Sequence, residues 1–575
     1  MHNEKIAELF SEIADMLELE GKATLFEIRA YRKAAMTIGT LQEDAAEILE
    51  KKGIEGLMEL PGIGKGLAGK IKEFIDHGSM KRYDELKKAY PIDLAGLTRI
   101  QGIGPKSAFR LYRELSIKNV NDLKKAIAEG RLKGIKGFGE KSELEMEKGI
   151  ELLESGMGRM LLGTALPEAE RIVKKLIDSG IAEKAEIAGS TRRMKETVGD
   201  LDILVISEDS EKAMAFIEDL EEVESVLLKG PTKTSVRLRI GLNCDVRVIE
   251  RKSFGAAMQY FIGSKEHNVK VRQIAIRKGY KLNEYGLFGK KNKIVAGESE
   301  KEIYKRLGMD WPEPEMREDR GEIELAMRQS LPRLVQLGDV CGDLHTHTLR
   351  SDGANTAEEM ALEALRLGRS YIGISDHSKN ERIAHGMDEK RFAVHFRELD
   401  QLSEKMGSRI KILKSAETDI LKDGSLDLDK KTLEEMDYVL ASIHTNLNMD
   451  RNEMTKRLVT CIEGGMVDII AHPTDRIINE RRPIDIDLDR IFEAAKDHGV
   501  AFEINAFPER LDLNDENILK AREYRLKFSI GTDSHRLPHL SFMRYGVSMA
   551  KRGWLTKDDI INTLPCDKLL KRFSK

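Results

Sequence analysis

The C-terminal part of the chain alternates short apolar runs with amphipathic stretches, and this alternation constrains the fold more than any other feature. The apolar runs are residues 371–375, 439–443, 467–471, 500–504 and 528–531. Strands separated in this way by helices pair in parallel, which predicts a sheet closed into an αβ barrel. Functional groups in such barrels lie at the carboxyl ends of the strands.

Histidines and carboxylates follow these runs at nearly every predicted strand end. Side chains alternate along a strand, so His345 and His347 can present both rings to one ion. A single histidine at a strand end is usually only hydrogen-bonded, but a set this dense predicts a metal centre. The candidate ligands are His345, His347, Asp352, His377, Glu417, His444, His472, Asp533 and His535.

A second metal motif lies near the middle of the chain. Asp200 and Asp202 share one face of a predicted apolar strand. Adjacent carboxylates repel each other, so a site that keeps both ionised usually holds a divalent metal. With Asp245 on the run 244–249 as a third carboxylate, the set suits a pair of Mg²⁺ ions in phosphoryl transfer. Ser190 and Arg193, in the preceding turn, are placed to hold triphosphate oxygens.

Three Gly-x-Gly turns between helical stretches lie in the N-terminal region. Such a turn exposes backbone N–H groups, and the following helix adds its positive end, so each turn can bind phosphate. The glycines are Gly62, Gly64, Gly102, Gly104, Gly137 and Gly139. Residues 64–69 also satisfy the GxGxxG dinucleotide fingerprint. That fingerprint needs a preceding strand, and residues 54–60 look helical, so we reject it.

Composition limits the classes of protein that remain. The chain has 575 residues, which predicts three to four domains, and its net charge of −4 leaves nucleic-acid binding to local patches. Four cysteines without a CxxC pair favour a reduced, cytoplasmic protein without a zinc finger or disulfides. No apolar run reaches about 18 residues, and the N-terminus is not signal-like, so we expect no membrane partner.

Residues 1–318 resemble the DNA polymerase X family, to which DNA polymerase beta belongs. The carrying motifs are the Gly-Ser turn with Asp-x-Asp, the Tyr-Phe-x-Gly-Ser turn at 260–264 and the helix behind it. The resemblance implies catalytic Asp200, Asp202 and Asp245 with Mg²⁺ or Mn²⁺. It also implies nucleotide or template contacts at Ser190, Arg193, Gly199, Tyr260, Phe261, Gly263, Asn268 and Arg272. The donor-rich loop 229–234, with Lys233, suits a DNA backbone or is a simple polar hairpin.

In the same family, residues 1–88 resemble the lyase domain and the following segment the fingers. The lysine that attacks an abasic sugar through a Schiff base matches Lys70, and a supporting tyrosine matches Tyr31. This chain has Phe26-Glu27 where the family member has His-Lys. The loss of a phosphate-gripping cation leaves the 5′-deoxyribose phosphate lyase open, with a surface lysine as the alternative.

The C-terminal part resembles the PHP (polymerase and histidinol phosphatase) domain. That resemblance implies a distorted (β/α)7 barrel with two to three Mn²⁺ or Zn²⁺ ions, 3′–5′ exonuclease activity and abasic-site endonuclease activity. Glu417 is expected to bridge ions. The implied groups are His345, His347, Glu417 and Asp533; Glu417, His444 and His472; and Asp352, His377 and His535.

The predicted architecture is multidomain α/β, with all-α helix-hairpin-helix domains followed by an α+β palm and thumb and the PHP barrel. The boundaries are 1–88 lyase-like, 89–150 fingers, 151–250 palm, 251–318 thumb, 319–338 linker and 339–575 PHP. We expect a monomeric repair enzyme that fills short gaps, acting on gapped or nicked duplex DNA with dNTPs. Three alternatives remain: a PHP 3′-phosphatase or small-molecule phosphoesterase, a DNA-end binding module, and template-independent transfer.

Overall fold

The computed structural model describes residues 2–20, 24–41, 44–93, 97, 103, 105–132, 146 and 159–573. Within it the chain divides into two units. The first unit comprises Met1–Met160, Ala169–Ile187 and Gly199–Arg251, and the second comprises Leu161–Glu168, Ala188–Val198 and Lys252–Lys575. The predicted phosphate-binding residues Gly102, Gly104, Gly137 and Gly139 lie outside the described residues.

Helices make up the N-terminal part of the first unit, as the apolar periodicity predicts. Ile6, Phe10, Ile13 and Leu17 repeat every three or four residues and are fully buried, because that spacing places them on one helix face. The helices are His2–Glu20, Leu25–Thr40, Ala45–Met58, Lys65–His77, Lys81–Ala89, Pro105–Leu115 and Val120–Ala128. Residues 44–63, all of which the structure describes, contain the helix Ala45–Met58 and no strand before Gly64. This excludes the dinucleotide fingerprint, which needs a preceding strand.

A mixed five-stranded sheet forms the rest of the first unit. In spatial order its strands are Lys184–Ile187, Asp200–Ile206, Asn243–Val248, Lys233–Leu238 and Val223–Lys229. The central pair is parallel and brings Asp202 into register with Asp245. The helix Ser210–Glu218 and most of the helix Leu162–Asp178 complete this region. The boundary between the units falls within the strand Met160–Leu161 and within the helix Leu162–Asp178, and the strand Thr197–Val198 belongs to the second unit. Ile203 and Val205 are fully buried, so the sheet is anchored by the apolar positions that alternate with the carboxylates.

The second unit begins with a mixed helical and β region. Its elements are Gly189–Arg192, Phe254–Ile262, Lys265–Arg277, Glu300–Arg306 and Glu322–Met327 (helices) and Lys281–Asn283, Gly286–Phe288 and Ile294–Ala296 (an antiparallel sheet). His267 is buried, with Nδ1 2.7 Å from Oε1 of Glu322 and Nε2 2.7 Å from the hydroxyl of Tyr304.

The segment 319–338, predicted as a linker that includes one helix, contains a helix that packs against other parts of the second unit. The helix Glu322–Met327 buries Ile323 and Ala326 in the same apolar cluster as Val271 and Leu287. Leu334 and Val335 are buried as well. The charged residues that suggested a linker in the sequence are interleaved with apolar ones at helical spacing, and the helix packs with that apolar face.

Parallel strands and helices alternate through the C-terminal domain, as predicted. The strands are Gly342–Asp343, Tyr371–Ile374, Lys411–Lys414, Glu417–Asp419, Leu440–Ser442, Ile469–Ile470, Ala501–Asn505 and Phe528–Gly531. The longer helices are Ala357–Arg366, Glu389–Met406, Arg451–Glu463, Leu488–His498, Asp515–Glu523, Met543–Arg552 and Cys566–Phe573.

The strands form one sheet of three and one of five, all parallel. Single parallel bridges, His377 with Glu417 and Thr346 with Ser534, join residues of the two sheets at the strand ends. Closure into a seven-stranded barrel stays a prediction. Among the described residues, every helix is too short or too polar to cross a lipid bilayer.

Candidate metal centres

The three predicted carboxylates of the middle region lie on the two central strands of the mixed sheet. Asp200 and Asp202 are two residues apart on one strand, so both point to the same face. Asp245 is the register partner of Asp202 on the neighbouring strand. Asp200 is exposed, whereas Asp202 and Asp245 are half-buried. The fold therefore gathers all three carboxylates at one end of the parallel pair.

The three carboxylates differ in their electrostatic environment. Burial, together with the charges of Asp200 and Asp245, raises the pKa of Asp202 to about 7. Burial also opposes ionisation of Asp245, but Lys233, the Ser235 hydroxyl and Arg247 outweigh it and lower the pKa of that carboxyl. Two carboxylates that resist joint ionisation are what a divalent cation would stabilise.

Lys233 does not lie in the loop that the sequence suggested. It is the first residue of the strand Lys233–Leu238, and its Nζ is 3.0 Å from Oδ2 of Asp245. The donor-rich segment is a tight hairpin because the two strands close over residues 230–232. In this structure Lys233 pairs with Asp245, and its contact with a DNA backbone stays a prediction.

The predicted triphosphate turn belongs to the second unit. Ser190 lies in the short helix Gly189–Arg192, and Arg193 follows that helix directly. Arg193 donates from Nε to Oε1 of Glu318 at 3.0 Å and from Nη1 to the carbonyl oxygen of Ile262. Burial lowers the pKa of Arg193, although Glu318 partly offsets this. Gly199, on the other side of the turn, leaves room beside the Arg159 guanidinium: a Cβ there would lie 3.0 Å from Nη1.

The predicted sugar-selecting residues lie at the end of one helix and the start of the next. Tyr260 and Phe261 occupy the last turn of Phe254–Ile262 and meet edge to face, with ring centroids 5.0 Å apart. Gly263 follows with φ +74°, and a Cβ there would lie 3.1 Å from Nη1 of Arg193. The turn and the triphosphate segment thus contact each other.

Asn268 and Arg272 are one helical turn apart, as predicted, but Asn268 is turned inward. Its Nδ2 donates to the carbonyl oxygen of Tyr260, and its Oδ1 accepts from Gln259, both at 2.7 Å. Arg272 donates from Nε to the carbonyl oxygen of Asn268 at 3.3 Å. Asn268 therefore supports the aromatic pair from behind.

The first Gly-x-Gly turn has the expected geometry. Gly62 has φ +83°, which disfavours other residues, and Gly64 is the N-cap of the helix Lys65–His77 without a side-chain cap. A Cβ on Gly62 would lie 2.8 Å from Cγ and Cδ of Lys33, so the aliphatic part of that side chain packs on the turn. The open helix end suits a phosphate.

Lys70, the predicted lyase nucleophile, lies one turn further along that helix. Its Nζ is 5.7 Å from the ring centroid of the buried Tyr31 and 3.5 Å from the carbonyl oxygen of Gly66. Phe26 is 83% exposed at the start of the helix Leu25–Thr40, and Glu27 follows it. Lys70 and Tyr31 are neighbours, as the family pattern requires.

All nine predicted ligands of the C-terminal domain converge at the strand ends around Glu417. Its Oε1 is 2.7 Å from Nε2 of His472 and 3.2 Å from Nε2 of His444. Its Oε2 is 3.0 Å from Nδ1 of His377 and 3.4 Å from Nε2 of His345. One buried carboxylate therefore touches several imidazoles, which is the geometry a bridging ligand needs.

The potential ligand atoms form three groups, each with members within 4.8 Å of one another. The groups are His345, His347 and Asp533; His377, Glu417 and His444; and His347, Asp352, His377 and His535. The expected grouping differs in part: His377 takes the place beside Glu417 and His444 that the resemblance implied for His472, and His347 and His377 each belong to two groups.

The donor set fits divalent ions. Nε2 of His345 is buried and makes no hydrogen bond to any residue that the structure describes. It lies 3.4 Å from Glu417 and 3.6 Å from Asp533, a spacing typical of ligands that share one ion at about 2 Å from each. Burial, helped by His347 and His444, holds the pKa of His377 at about 3, so this imidazole is neutral and able to ligate.

Sequence reasoning missed the carboxylates behind the histidines. Glu503 accepts from Nδ1 of His345 and from the backbone N–H of His472, both at 2.7 Å. Asp419 lies 2.6 Å from Nδ1 of His444. Partners of this kind fix the ring orientation of a metal ligand. The available signal was a glutamate inside the apolar run 500–504, which a buried strand tolerates only when the charge is paired.

Comparison with known families agrees with this geometry. Residues 1–80 match a helix-hairpin-helix domain, 94–146 a SAM-like helix-hairpin-helix tandem, 257–318 the DNA polymerase beta thumb and 343–507 the PHP domain. These matches define a polymerase beta-like protein joined to a PHP domain. The chain is 36% identical over 569 residues to the DNA polymerase/3′-5′ exonuclease PolX of Bacillus subtilis (strain 168), covering 98% of this chain and 97% of that protein. The chain belongs to this PolX family.

Two further relatives cover single parts of the chain. A probable phosphatase of Thermoanaerobacter sp. (strain X514) is 33% identical over 235 residues, which is 38% of this chain and 89% of that protein. The polymerase beta of Leishmania infantum, solved as a ternary P/T complex, is 27% identical and covers 39% of this chain and 97% of its own, with a TM-score of 0.30.

Proposed function

We propose that this chain is a DNA-directed DNA polymerase that fills short gaps during repair and carries a 3′–5′ exonuclease in its PHP domain. The observation that carries the proposal is the presence of two acidic clusters of different chemistry in the two units. One consists of three carboxylates on a sheet, and the other of six imidazoles and three carboxylates around Glu417. The relationship to the Bacillus PolX over nearly its whole length supports the assignment.

In the palm, Asp200, Asp202 and Asp245 would hold Mg²⁺ or Mn²⁺. Divalent ions at these carboxylates supply charge stabilisation for phosphoryl transfer. Lys233 and the Ser235 hydroxyl, 3.0 and 2.5 Å from Asp245, keep that carboxylate ionised and oriented before the ions arrive.

The remaining polymerase residues bind and select the nucleotide. Ser190 and the Arg193 fork hold the triphosphate. The Tyr260–Phe261 pair, held from behind by Asn268, lies against the sugar and rejects a ribonucleotide by steric contact. Gapped or nicked duplex DNA and dNTPs are the substrates, and a single chain carries every group named here.

In the PHP domain, the nine ligands would hold two or three Mn²⁺ or Zn²⁺ ions. Such ions supply an activated water and polarise the phosphodiester. Glu417 joins the groups, and Glu503 holds the His345 ring so that Nε2 faces the centre. The same arrangement would serve 3′–5′ removal of nucleotides and cleavage at abasic sites.

One assay tests both halves. A 5′-labelled primer on a single-nucleotide-gap duplex is incubated with Mn²⁺, with and without dNTPs. We expect extension to the end of the gap with dNTPs and stepwise shortening without them. A primer that is never extended would refute the polymerase assignment, and one that is never shortened would refute the exonuclease assignment.

The second candidate for the PHP half is a phosphomonoesterase, favoured by the likeness to a probable phosphatase. A 3′-phosphorylated primer distinguishes the two. An exonuclease releases nucleoside monophosphates and shortens the strand, whereas a phosphatase releases inorganic phosphate and leaves the length unchanged. Faster turnover of p-nitrophenyl phosphate than of the primer would favour the phosphatase.

For the N-terminal domain we propose a 5′-deoxyribose phosphate lyase with Lys70 as nucleophile, because Lys70 lies beside Tyr31. Borohydride should trap the enzyme on a 5′-deoxyribose phosphate end, and Lys70→Ala should abolish trapping. Lys72→Ala, on the same helix, is the control. Failure of the unaltered enzyme to be trapped would show that Glu27 marks a lost activity.

A further inference from the structure

The turn that carries Ser190 and Arg193 is held by residues of the PHP domain. Arg552, at the end of the helix Met543–Arg552, donates from Nη1 to the carbonyl oxygen of Arg193 at 2.8 Å. Arg476 donates from Nη2 to Glu196 at 2.6 Å. The segment Ala188–Val198 accordingly belongs to the same unit as the PHP domain.

Arg552 is buried and has several hydrogen-bond partners, unlike a typical surface cation. Its side chain is 2% exposed. Besides the Arg193 carbonyl, it bonds Oε1 of Glu318 at 3.1 Å through Nη1 and Oδ2 of Asp515 at 2.6 Å through Nη2. Burial alone would lower the pKa of Arg552, but Asp515 and Glu318 outweigh it and raise that pKa.

Glu318 joins the two arginines. Its Oε1 accepts from Nε of Arg193 at 3.0 Å as well as from Arg552. The helix Gly189–Arg192 has only four residues, too few to be stable alone. The carbonyl oxygens of Gly189, Ser190 and Thr191 already accept from the backbone N–H groups of residues 193–195. Arg552 adds a donor to the carbonyl of Arg193, just past the helix, and places a cation at the end that the helix dipole favours for positive charge.

We propose that Arg552 is a positioning residue for the polymerase reaction: from the PHP domain it fixes the turn that presents Ser190 and Arg193 to the nucleotide triphosphate. This inference rests on the proposed nucleotide role of those two residues. It makes the PHP domain part of the polymerase's nucleotide site and not only a second enzyme on the same chain.

A purely structural ion pair would also explain why Arg552 is buried and paired. Its neighbour Lys551 distinguishes that structural role from a positioning role. Lys551 lies on the same helix and binds Glu313 and Glu315, each at 2.7 Å. None of the side-chain contacts that the structure describes for Lys551 reaches the turn at Arg193. Lys551→Met therefore removes an ion pair from the same helix while sparing the turn.

The test compares Arg552→Met, Arg552→Lys, Lys551→Met and Arg193→Ala in the full chain. The readouts are KM for dNTP and kcat on a gapped duplex, with exonuclease rate on single-stranded DNA as the measure of folding. Loss of ground-state binding raises KM more than it lowers kcat. We expect KM to rise about tenfold in Arg552→Met, the effect of one charge-assisted hydrogen bond, with exonuclease unchanged.

Arg552→Lys, which keeps the charge but loses the planar fork, should give an intermediate KM, and it tests the proposal even if Arg552→Met fails to fold. Lys551→Met should leave KM unchanged. Equal rises in KM for Arg552→Met and Lys551→Met would overturn the positioning role, and so would an unchanged KM in Arg552→Lys. If Arg193→Ala itself leaves KM unchanged, it is the proposed nucleotide role of the turn that fails.

Discussion

The two candidate metal centres of this chain differ in how far the protein buries and orients their ligands. In the PHP centre, His345 and Glu417 are 1% exposed, and buried carboxylates orient the rings from behind. In the palm, Asp200 is exposed and Asp245 is paired with a lysine. The ligands of the PHP centre are buried and oriented in advance. Those of the palm are partly exposed, and Lys233 offsets part of their negative charge.

The difference follows from what each site must accommodate. A buried set of imidazoles and carboxylates whose rings are oriented in advance binds ions tightly and keeps them between turnovers. A nucleotidyl-transfer site must admit a triphosphate with its own metal, so a half-exposed set of carboxylates with a competing cation suits exchange. The comparison predicts different costs for damage to each centre.

The largest effect is expected for loss of a palm carboxylate. Asp202→Ala removes one of the three carboxylates, and ions that supply several kcal/mol of transition-state stabilisation lose a ligand. Gap filling should fall about 10³-fold or more. Exonuclease rate should not change, and the exposed Glu224→Ala serves as control. Extension that persists in Asp202→Ala would end the assignment of this centre.

In the PHP centre, the bridging position should matter more than any single imidazole. Glu417→Ala should strip two ions because Glu417 contacts members of more than one group, whereas His444→Ala, a member of one group, should strip one. Elemental analysis of the purified variants measures this, alongside exonuclease rate. The exposed His498→Ala is the control. Loss of the same single equivalent from both variants would contradict a bridge.

The sequence predicts a residue of these centres when its role depends on neighbours in the chain, and misses it when its partners are distant in sequence. Asp200 and Asp202 share a face by strand geometry alone, and the histidines follow apolar runs, so both sets could be found by spacing. Arg552, Glu503 and the Lys233–Asp245 pair could not, since their partners are distant in sequence. The surface that buries Ile323 and Ala326 could not be predicted either, since amphipathic spacing indicates a helix but not what it packs against.

A smaller effect is expected from the residues behind the ligands. Glu503→Gln keeps the shape of the side chain but removes the charge that accepts from Nδ1 of His345. Loss of such a partner typically costs about 10–100-fold in metal affinity or activity. We expect a loss in that range in exonuclease rate, restored in part by excess Mn²⁺, with gap filling intact. A loss that added Mn²⁺ does not reduce would place Glu503 in substrate contact or folding.

The smallest effect, and the finest test of the comparison, concerns Lys233. Its Nζ competes with any ion for Oδ2 of Asp245, so Lys233→Met should lower the Mg²⁺ concentration needed for half-maximal gap filling. A partly exposed ion pair is worth about 0.2–1 kcal/mol, so the shift should be about two- to fivefold. Lys229→Met, at the other end of the hairpin, should leave the Mg²⁺ requirement unchanged. The Mn²⁺ requirement of the exonuclease should not change in either variant. If Lys233→Met instead raises KM for the gapped duplex at constant Mg²⁺ requirement, then Lys233 binds the DNA backbone and does not compete with Mg²⁺ for Asp245.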